Sequence, residues 1–181
     1  METIRKTAFS VPAKHEVSPT NQAIFDQLNK ALGFVPNLYA TIGYSDNGLE
    51  RYLNFQNAKT SFSNKEKEAI NLIVSEVNGC IYCLSAHSVI GKMNGFSDEQ
   101  LLDIRREKSD NPKLQALVVL AADITKSKGN VQEENLQNFF DQGYSKQHLV
   151  DLILQVSDKI AMNYLHNLTQ IPVDFPLAEN I

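Results

Sequence analysis

The sequence of 181 residues predicts an all-α protein, on three observations. Apolar residues recur at helical spacing through most of the chain. A serine followed three residues later by Glu or Gln, at 63–66 and at 97–100, is the pattern of a capping box at a helix start. The two extended stretches, 11–12 and 171–173, each contain a proline, which confines such pieces to coil or to sheet edges.

The individual helices follow from their start and stop signals. Ser18-Pro19 is typical of a helix start and Gly33 of a helix end. Asn78-Gly79 and Asn94-Gly95 are further stops. The predicted helices are therefore 18–33, about 47–60, 63–78, about 80–93, and a short one that begins after residue 97.

A weak internal repeat relates two parts of the chain. The segment 95–104 resembles 143–152, an offset of 48 residues. The second copy has Lys128 in place of Cys80 and contains no cysteine. Coincidence between two amphipathic segments is the alternative explanation. On the repeat reading, residues 1–181 form one domain, with an active half at about 18–108 and a degenerate half at about 109–175.

Composition and charge exclude several classes of protein. The formal net charge is −4 and no run of five like charges occurs, which argues against nucleic acid as a partner. No stretch approaches 18 apolar residues, so no membrane span is expected, and residues 1–9 lack the apolar core of a secretory signal. We therefore expect a cytoplasmic protein, in which two cysteines are not a structural disulfide.

Those two cysteines lie in a Cys-x-x-Cys-x-x-x-His segment that follows a turn and begins a helix. At about 100° per residue, Cys83 lies about 60° and His87 about 20° from Cys80 on the helical wheel, so the three side chains share one stripe. A helix N-terminus favours a thiolate, and thiol pKa values fall in such settings. His87 could accept the thiol proton or stabilise the thiolate.

A histidine in this role needs a carboxylate to orient it, and two are candidates. If the helices on either side of Asn78-Gly79 fold back on each other, Glu68 and His87 lie at similar distances from the turn, about 15 and 12 Å. Glu76 would lie beside the turn, nearer Cys80. Spacing alone favours Glu68 only slightly.

The segment from Glu68 to His87 resembles the signature of the AhpD-like alkylhydroperoxidases, in the carboxymuconolactone decarboxylase superfamily. Residues 33–38 and the stretch from 163 to 174 resemble the peroxidase-related branch of that superfamily. The resemblance implies an AhpD-like helical fold and a proton-relay redox site formed by Glu68, Cys80, Cys83 and His87. It implies that Cys83 attacks a hydroperoxide and that Cys80 resolves the product into a disulfide.

The resemblance also implies a dithiol reductant, no metal or organic cofactor, and a homo-oligomer. One position departs from the prototype, which has a second histidine where this chain has Tyr82. A phenol with a pKa near 10 is a poor proton shuttle at neutral pH, although it can donate a hydrogen bond. Packing against a neighbouring helix is an equally good explanation of Tyr82.

Other functions stay open at this point. The cysteines and His87 could hold zinc, or they could be inert core residues. A cofactor-free lactone decarboxylase would share the superfamily but would need no thiol pair. A redox-sensing or partner-binding helical module would form the disulfide without turnover. His15, His148 and His166 have no cysteine nearby in sequence and are expected to be surface or satisfied histidines.

Overall fold

The computed structural model describes residues 9–181, and the regular structure of that range is helical, without a strand. The prediction of an all-α fold is confirmed. The expectation about a secretory signal concerns a segment of which residues 1–8 lie outside the described part. A short 3₁₀ helix (Lys14–Glu16) precedes the α-helices, which are α1 (Pro19–Leu32), α2 (Asn37–Ile42), α3 (Gly48–Gln56), α4 (Asn64–Val77), α5 (Ile81–Met93), α6 (Asp98–Arg105), α7 (Pro112–Ser127), α8 (Glu133–Asp141) and α9 (Lys146–Thr169).

Most helix starts lie where their sequence signals predict them. Ser18, Ser63 and Ser97 are N-caps whose hydroxyl oxygens accept a backbone N–H from the first turn of α1, α4 and α6. Gly33 ends α1 in a left-handed conformation (φ 84°), which glycine adopts without steric cost. In the described part of the chain, no helix is long and apolar enough to cross a membrane.

Two elements differ from the prediction. Helix α2 was not predicted, because Pro36 reads as a break; it stands instead at the N-cap, where a proline removes no helical hydrogen bond. Helix α3 ends at Gln56 rather than near 60. The chain leaves the helix there because the backbone N–H of Ser61 donates to the carboxylate of Asp151, at 2.7 Å.

The described chain packs as two compact units. The first comprises residues up to 58 together with 165–174. Its core contains Phe25, Ala40 and Leu49, and the backbone N–H of Asn37 at the start of α2 donates to the carboxylate of Asp174, at 2.7 Å.

The second unit comprises 59–164 and 175–181 and has α4 at its centre. Every residue from 68 to 75 of α4 is buried, and α4 packs against α5, α6 and α7. The apolar core of this unit includes Ile70, Leu72, Leu117 and Leu120, all without solvent exposure. A helix buried on all sides must satisfy any polar side chain internally, and α4 carries three: Glu68, Asn71 and Ser75.

The offset of 48 residues recurs in the structure of this second unit. Helix α7 begins 48 residues after α4, and α9 begins 48 residues after α6. The glycines that precede α6 and α9, Gly95 and Gly143, both have φ 87°. The division into an active half and a degenerate half stays a prediction.

Candidate active site

The two cysteines lie at the start of α5. Gly79 has φ 61°, which reverses the chain after α4, and the backbone N–H of Cys80 then donates to the carbonyl of Ser75, at 3.0 Å. Cys80 is the N-cap of α5, and its Sγ accepts the backbone N–H of Cys83, at 3.4 Å. Both residues are thiols, without a disulfide bond, and both are buried.

One helical turn further along α5, His87 is paired with Glu68 of α4. The His87 Nδ1 to Glu68 Oε2 distance is 2.7 Å, and both side chains are about nine-tenths buried. The amide of Asn71 donates to the other carboxylate oxygen of Glu68, at 3.2 Å. Burial alone would raise the pKa of Glu68, but His87, the charge of Lys159 and the hydrogen bond from Asn71 together lower it. Glu68 is therefore a buried carboxylate held in its ionised form.

The second candidate carboxylate has a different partner. Glu76 accepts from the guanidinium of Arg105 at the end of α6, with an Nε to Oε2 distance of 2.6 Å. Arg105 also donates to the backbone carbonyl of Glu179, at 2.6 Å. The structure thus brings Glu68, and not Glu76, to His87. Sequence spacing could not decide between the two, because the partner of Glu76 lies 29 residues away, on another helix.

The thiol of Cys83 lies in a polar environment despite its burial. It is hydrogen-bonded to Cys80 and to the amide of Asn163, and Lys159 is the nearest influence of positive charge. The hydrogen bond with Cys80, then burial, and then the negative charge of a Cys80 thiolate raise the pKa of Cys83 well above its usual value; Lys159 and Asn163 act in the opposite direction. The expected lowering of the pKa at a helix start is therefore wrong for Cys83, because the neighbouring sulfur outweighs the helix terminus.

Cys83 and His87 lie on the same stripe of α5, as the wheel predicts. Within the described residues, no hydrogen bond joins them directly. The polar contacts of His87 lead to Glu68 and Asn71, whereas those of Cys83 lead to Cys80 and Asn163. A proton that moves between the two groups therefore needs a water molecule or a substrate atom between them.

Helix α9 supplies polar side chains that the sequence analysis did not identify as part of the site. Gln155 donates to Asn71 at 2.8 Å, and Asn163 donates to Ser75 at 3.1 Å while accepting from Asn78 at 3.0 Å. Lys159, between them on the helix, is 2% exposed. The signal in the sequence was there: Gln155, Lys159 and Asn163 follow a spacing of four residues among the apolar positions that bury α9.

Tyr82, between the cysteines, is 3% exposed and packs edge to face against Phe175, with ring centroids 5.7 Å apart. The chain after Phe175 stays on α5, because the backbone N–H of Ala178 donates to the buried hydroxyl of Ser85, at 3.0 Å. These contacts explain Tyr82 by packing and place the C-terminal segment 175–181 against the helix that carries the thiols.

The remaining histidines lie apart from the thiols in their contacts. His148 interacts with Ser145 at the start of α9, His166 is buried and contacts the carbonyl of Ile171 at 3.2 Å, and His15 is exposed. Within residues 9–181, no group of three or more His, Cys, Asp and Glu side chains is arranged to hold a metal ion. A cleft of about 560 Å³ lies at the other end of α4, lined by Glu66, Lys113 and Tyr144 among others, and contains no thiol.

Comparison with known proteins supports this description of the fold. Residues 46–126 match the carboxymuconolactone decarboxylase family, and this segment includes Glu68, both cysteines and His87. No curated protein sequence matches the chain.

Solved structures share the fold at low sequence identity. A peroxidase-related protein from Ralstonia eutropha JMP134, described as an alkylhydroperoxidase AhpD core, is 18% identical with a TM-score of 0.82, over 92% of this chain and 91% of that one. A peroxidase-related protein from Silicibacter sp. TM1040 is 18% identical with a TM-score of 0.78, over 98% and 95%. The debrominase Bmp8, in a cysteine-to-alanine variant bound to 2,3,4-tribromopyrrole, is 19% identical with a TM-score of 0.72, over 86% of each chain.

Proposed function

From a chain with the AhpD-like fold, whose thiols lie in a segment that matches the carboxymuconolactone decarboxylase family, we propose a cysteine-based hydroperoxide reductase. The observation that carries the proposal is the arrangement at the start of α5. The sulfur of Cys80 caps the helix against the backbone of Cys83, and a buried Glu68–His87 pair lies one turn further along. Two adjacent thiols supply two electrons, and a carboxylate–imidazole pair can accept and return a proton.

The proposed reaction has three steps. The Cys83 thiolate attacks the O–O bond of a hydroperoxide, forming a sulfenic acid and an alkoxide that takes a proton to leave as an alcohol. The Cys80 thiol then condenses with the sulfenic acid, which forms the Cys80–Cys83 disulfide and releases water. A dithiol reduces this disulfide by exchange at Cys80 and is itself oxidised to a disulfide.

In this scheme, Glu68 and His87 move the protons. The ionised carboxylate of Glu68 orients the imidazole through Nδ1 and stabilises its protonated form. His87 accepts the proton of Cys83 through a water molecule and returns one to the departing alkoxide. The Asn71 amide keeps Glu68 in place by donating to its second oxygen.

A second candidate is the reductive removal of bromine from an aromatic ring. The likeness to a debrominase bound to tribromopyrrole favours it, because the same two thiols balance that reaction too. An aryl bromide and two thiols would give the debrominated ring, bromide, a proton and a disulfide. A lactone decarboxylase would instead consume no thiol.

Thiol counting separates these reactions. Under anaerobic conditions, one equivalent of cumene hydroperoxide should remove two thiols per chain, and dithiothreitol should restore both. With excess dithiothreitol the enzyme should turn over peroxide repeatedly, and Cys83→Ser should abolish this turnover while remaining folded. Loss of two thiols with 2,3,4-tribromopyrrole but not with peroxide would favour debromination. Undiminished peroxide turnover by Cys83→Ser would refute the mechanism.

We also propose that the protein acts in the cytoplasm as a homo-oligomer. A reducing compartment keeps both thiols available for reaction. Exposed apolar side chains on α9, including Val150, Leu154 and Tyr164, give a surface that a second copy could cover. Light scattering coupled to size-exclusion chromatography should give a mass above that of one 20.3 kDa chain, and a mass of one chain would contradict the proposal.

A further inference from the structure

Three side chains on one face of α9 lie against the polar face of α4. Gln155 contacts Asn71, and Asn163 contacts Ser75, two turns further along α9 and one turn further along α4. These two contacts fix the register of the helices. Lys159 lies midway between Gln155 and Asn163 on the same face. It therefore lies between the Glu68–His87 pair, which Asn71 contacts, and the Cys83 thiol, which Asn163 contacts.

The burial of Lys159 needs an explanation. Its side chain is 3% exposed, and its ammonium is 3.7 Å from the carboxylate of Asp158, which is 4% exposed. A buried ammonium is unfavourable unless negative charge faces it. Neighbouring residues of a helix point about 100° apart, and a separation of 3.7 Å is too long for a close hydrogen bond. Asp158 therefore neutralises Lys159 only in part.

We propose that Lys159 is a positioning residue whose ammonium holds the negative charge of the Cys83 thiolate, and that Asp158 limits how much of this charge the thiolate receives. The inference rests on the proposed function, in which Cys83 must lose its proton before it attacks peroxide. Lys159 then opposes the sulfur of Cys80, the hydrogen-bonding neighbour that holds the proton on Cys83.

Charged and titratable groups face Cys83 from three helices. Helix α5 contributes Cys80 and His87, α4 contributes Glu68, and α9 contributes Asp158 and Lys159. Lys159 is also one cause of the lowered pKa of Glu68. The single ammonium thus serves two anions, the Glu68 carboxylate and the Cys83 thiolate, and this accounts for its burial.

Alkylation of Cys83 tests the inference without any peroxide chemistry. In a Cys80→Ser background, Cys83 is the chain's one cysteine, and its reaction rate with iodoacetamide as a function of pH gives the midpoint of thiolate formation. Adding Lys159→Met should shift the midpoint upward and slow alkylation at pH 7 about tenfold, the effect of about one pKa unit. Adding Asp158→Asn instead should shift the midpoint downward, because the competing carboxylate is neutralised.

Two further variants guard against misfolding. Lys159→Arg keeps the charge and should retain a midpoint closer to that of the Cys80→Ser background than Lys159→Met does. The pair Asp158→Asn with Lys159→Met buries no unpaired charge, and its midpoint should again lie above that of the background. An unchanged midpoint in a folded Lys159→Met variant, or an upward shift in Asp158→Asn, would overturn the inference. Because alkylation needs no peroxide, opposite shifts without peroxide turnover would leave the inference standing and remove the proposed function alone.

Discussion

The two parts of the internal repeat share a scaffold but not its chemistry. Ser63 caps α4 and Asn111 caps α7, each through a side-chain oxygen that accepts a backbone N–H of the first turn. Gly95 and Gly143 make the same left-handed turn before α6 and α9. The features that recur are thus those that begin and end helices, which any sequence must satisfy to keep this arrangement.

The polar pairs at corresponding positions differ in kind. In the first part, His87 is bonded to the carboxylate of Glu68. In the second part, the position of His87 is occupied by Asn135, whose amide donates to the carboxylate of Asp123 at 2.8 Å. An amide holds a carboxylate in place but cannot take up its proton, whereas an imidazole can do both. The comparison teaches that a hydrogen bond of this kind can be structural in one copy and available for proton transfer in the other.

The repeat also differs in the length of its last helix. Helix α6 has 8 residues and α9 has 24, so α9 continues far beyond the counterpart of Arg105. Gln155, Lys159 and Asn163 all lie in that continuation. The second part, which has no cysteine, thereby supplies side chains to the site around the cysteines of the first part.

The largest expected effect breaks the first polar pair and leaves the second as its control. Glu68→Gln should lower kcat/KM for a hydroperoxide by about 100-fold or more, because general acid–base assistance contributes on that order. Asp123→Asn should keep turnover within about twofold of the wild type, since its carboxylate binds Gln132 and Asn135 and not the site. Steady-state peroxide consumption with dithiothreitol measures both. Equal losses in the two variants would contradict the distinction between the pairs.

The second prediction concerns pH and the reacting thiol. Because the pKa of Cys83 is raised, the thiolate is the minor form at neutral pH, and its population grows about tenfold per pH unit below the pKa. The rate constant for reaction with peroxide should therefore rise between pH 7 and pH 9. Stopped-flow measurements on the prereduced protein give this rate constant. A rate that is constant above pH 6 would mean that Cys83 is already ionised there.

A third, smaller effect tests the shared scaffold. Gly95→Ala and Gly143→Ala should each lower the free energy of unfolding by about 1–2 kcal/mol, the cost of a left-handed conformation for a residue with a Cβ. An added Cβ meets no atom within 4 Å at either glycine, so conformation alone sets the cost. Urea denaturation measures both losses. A loss at one glycine only would show that the two turns do not play the same part in stability.

The smallest expected effect is on acid stability. The lowered pKa of Glu68 in the folded protein makes the folded state favour its ionised form. The stability that this adds is complete well above about pH 4.3, the ordinary glutamate value, and is lost as the pH falls through the folded value. The difference in unfolding free energy between the wild type and Glu68→Gln should therefore shrink from pH 6 to pH 3. A difference that does not change with pH would contradict the assignment.

How far the sequence predicted this molecule depends on the range of the interactions involved. The capping boxes at Ser63 and Ser97 involve residues three apart, so they could be identified without tertiary information. The stripe of Cys80, Cys83 and His87 follows from helical geometry in the same way. The partner of His87 needed a helix–helix register, which spacing gives only roughly.

The contribution of α9 could not be anticipated by the same reasoning. Asn163 contacts Ser75 across 88 residues of chain, and Gln155 contacts Asn71 across 84. Polar residues at buried helix positions are visible in a sequence, but their partners depend on which helices pack together. The lowered thiol pKa expected for Cys83 failed for a related reason, since it weighed the helix terminus and not the second sulfur.

The reach of α9 has a consequence for anyone who wishes to transplant this chemistry. A fragment cut from the segment 63–105 would retain both thiols, the imidazole and its carboxylate, but it would lose the amides and the ammonium that line their far side. The smallest portable unit is therefore a discontinuous one, which joins the thiol-bearing hairpin to a helix drawn from the other copy.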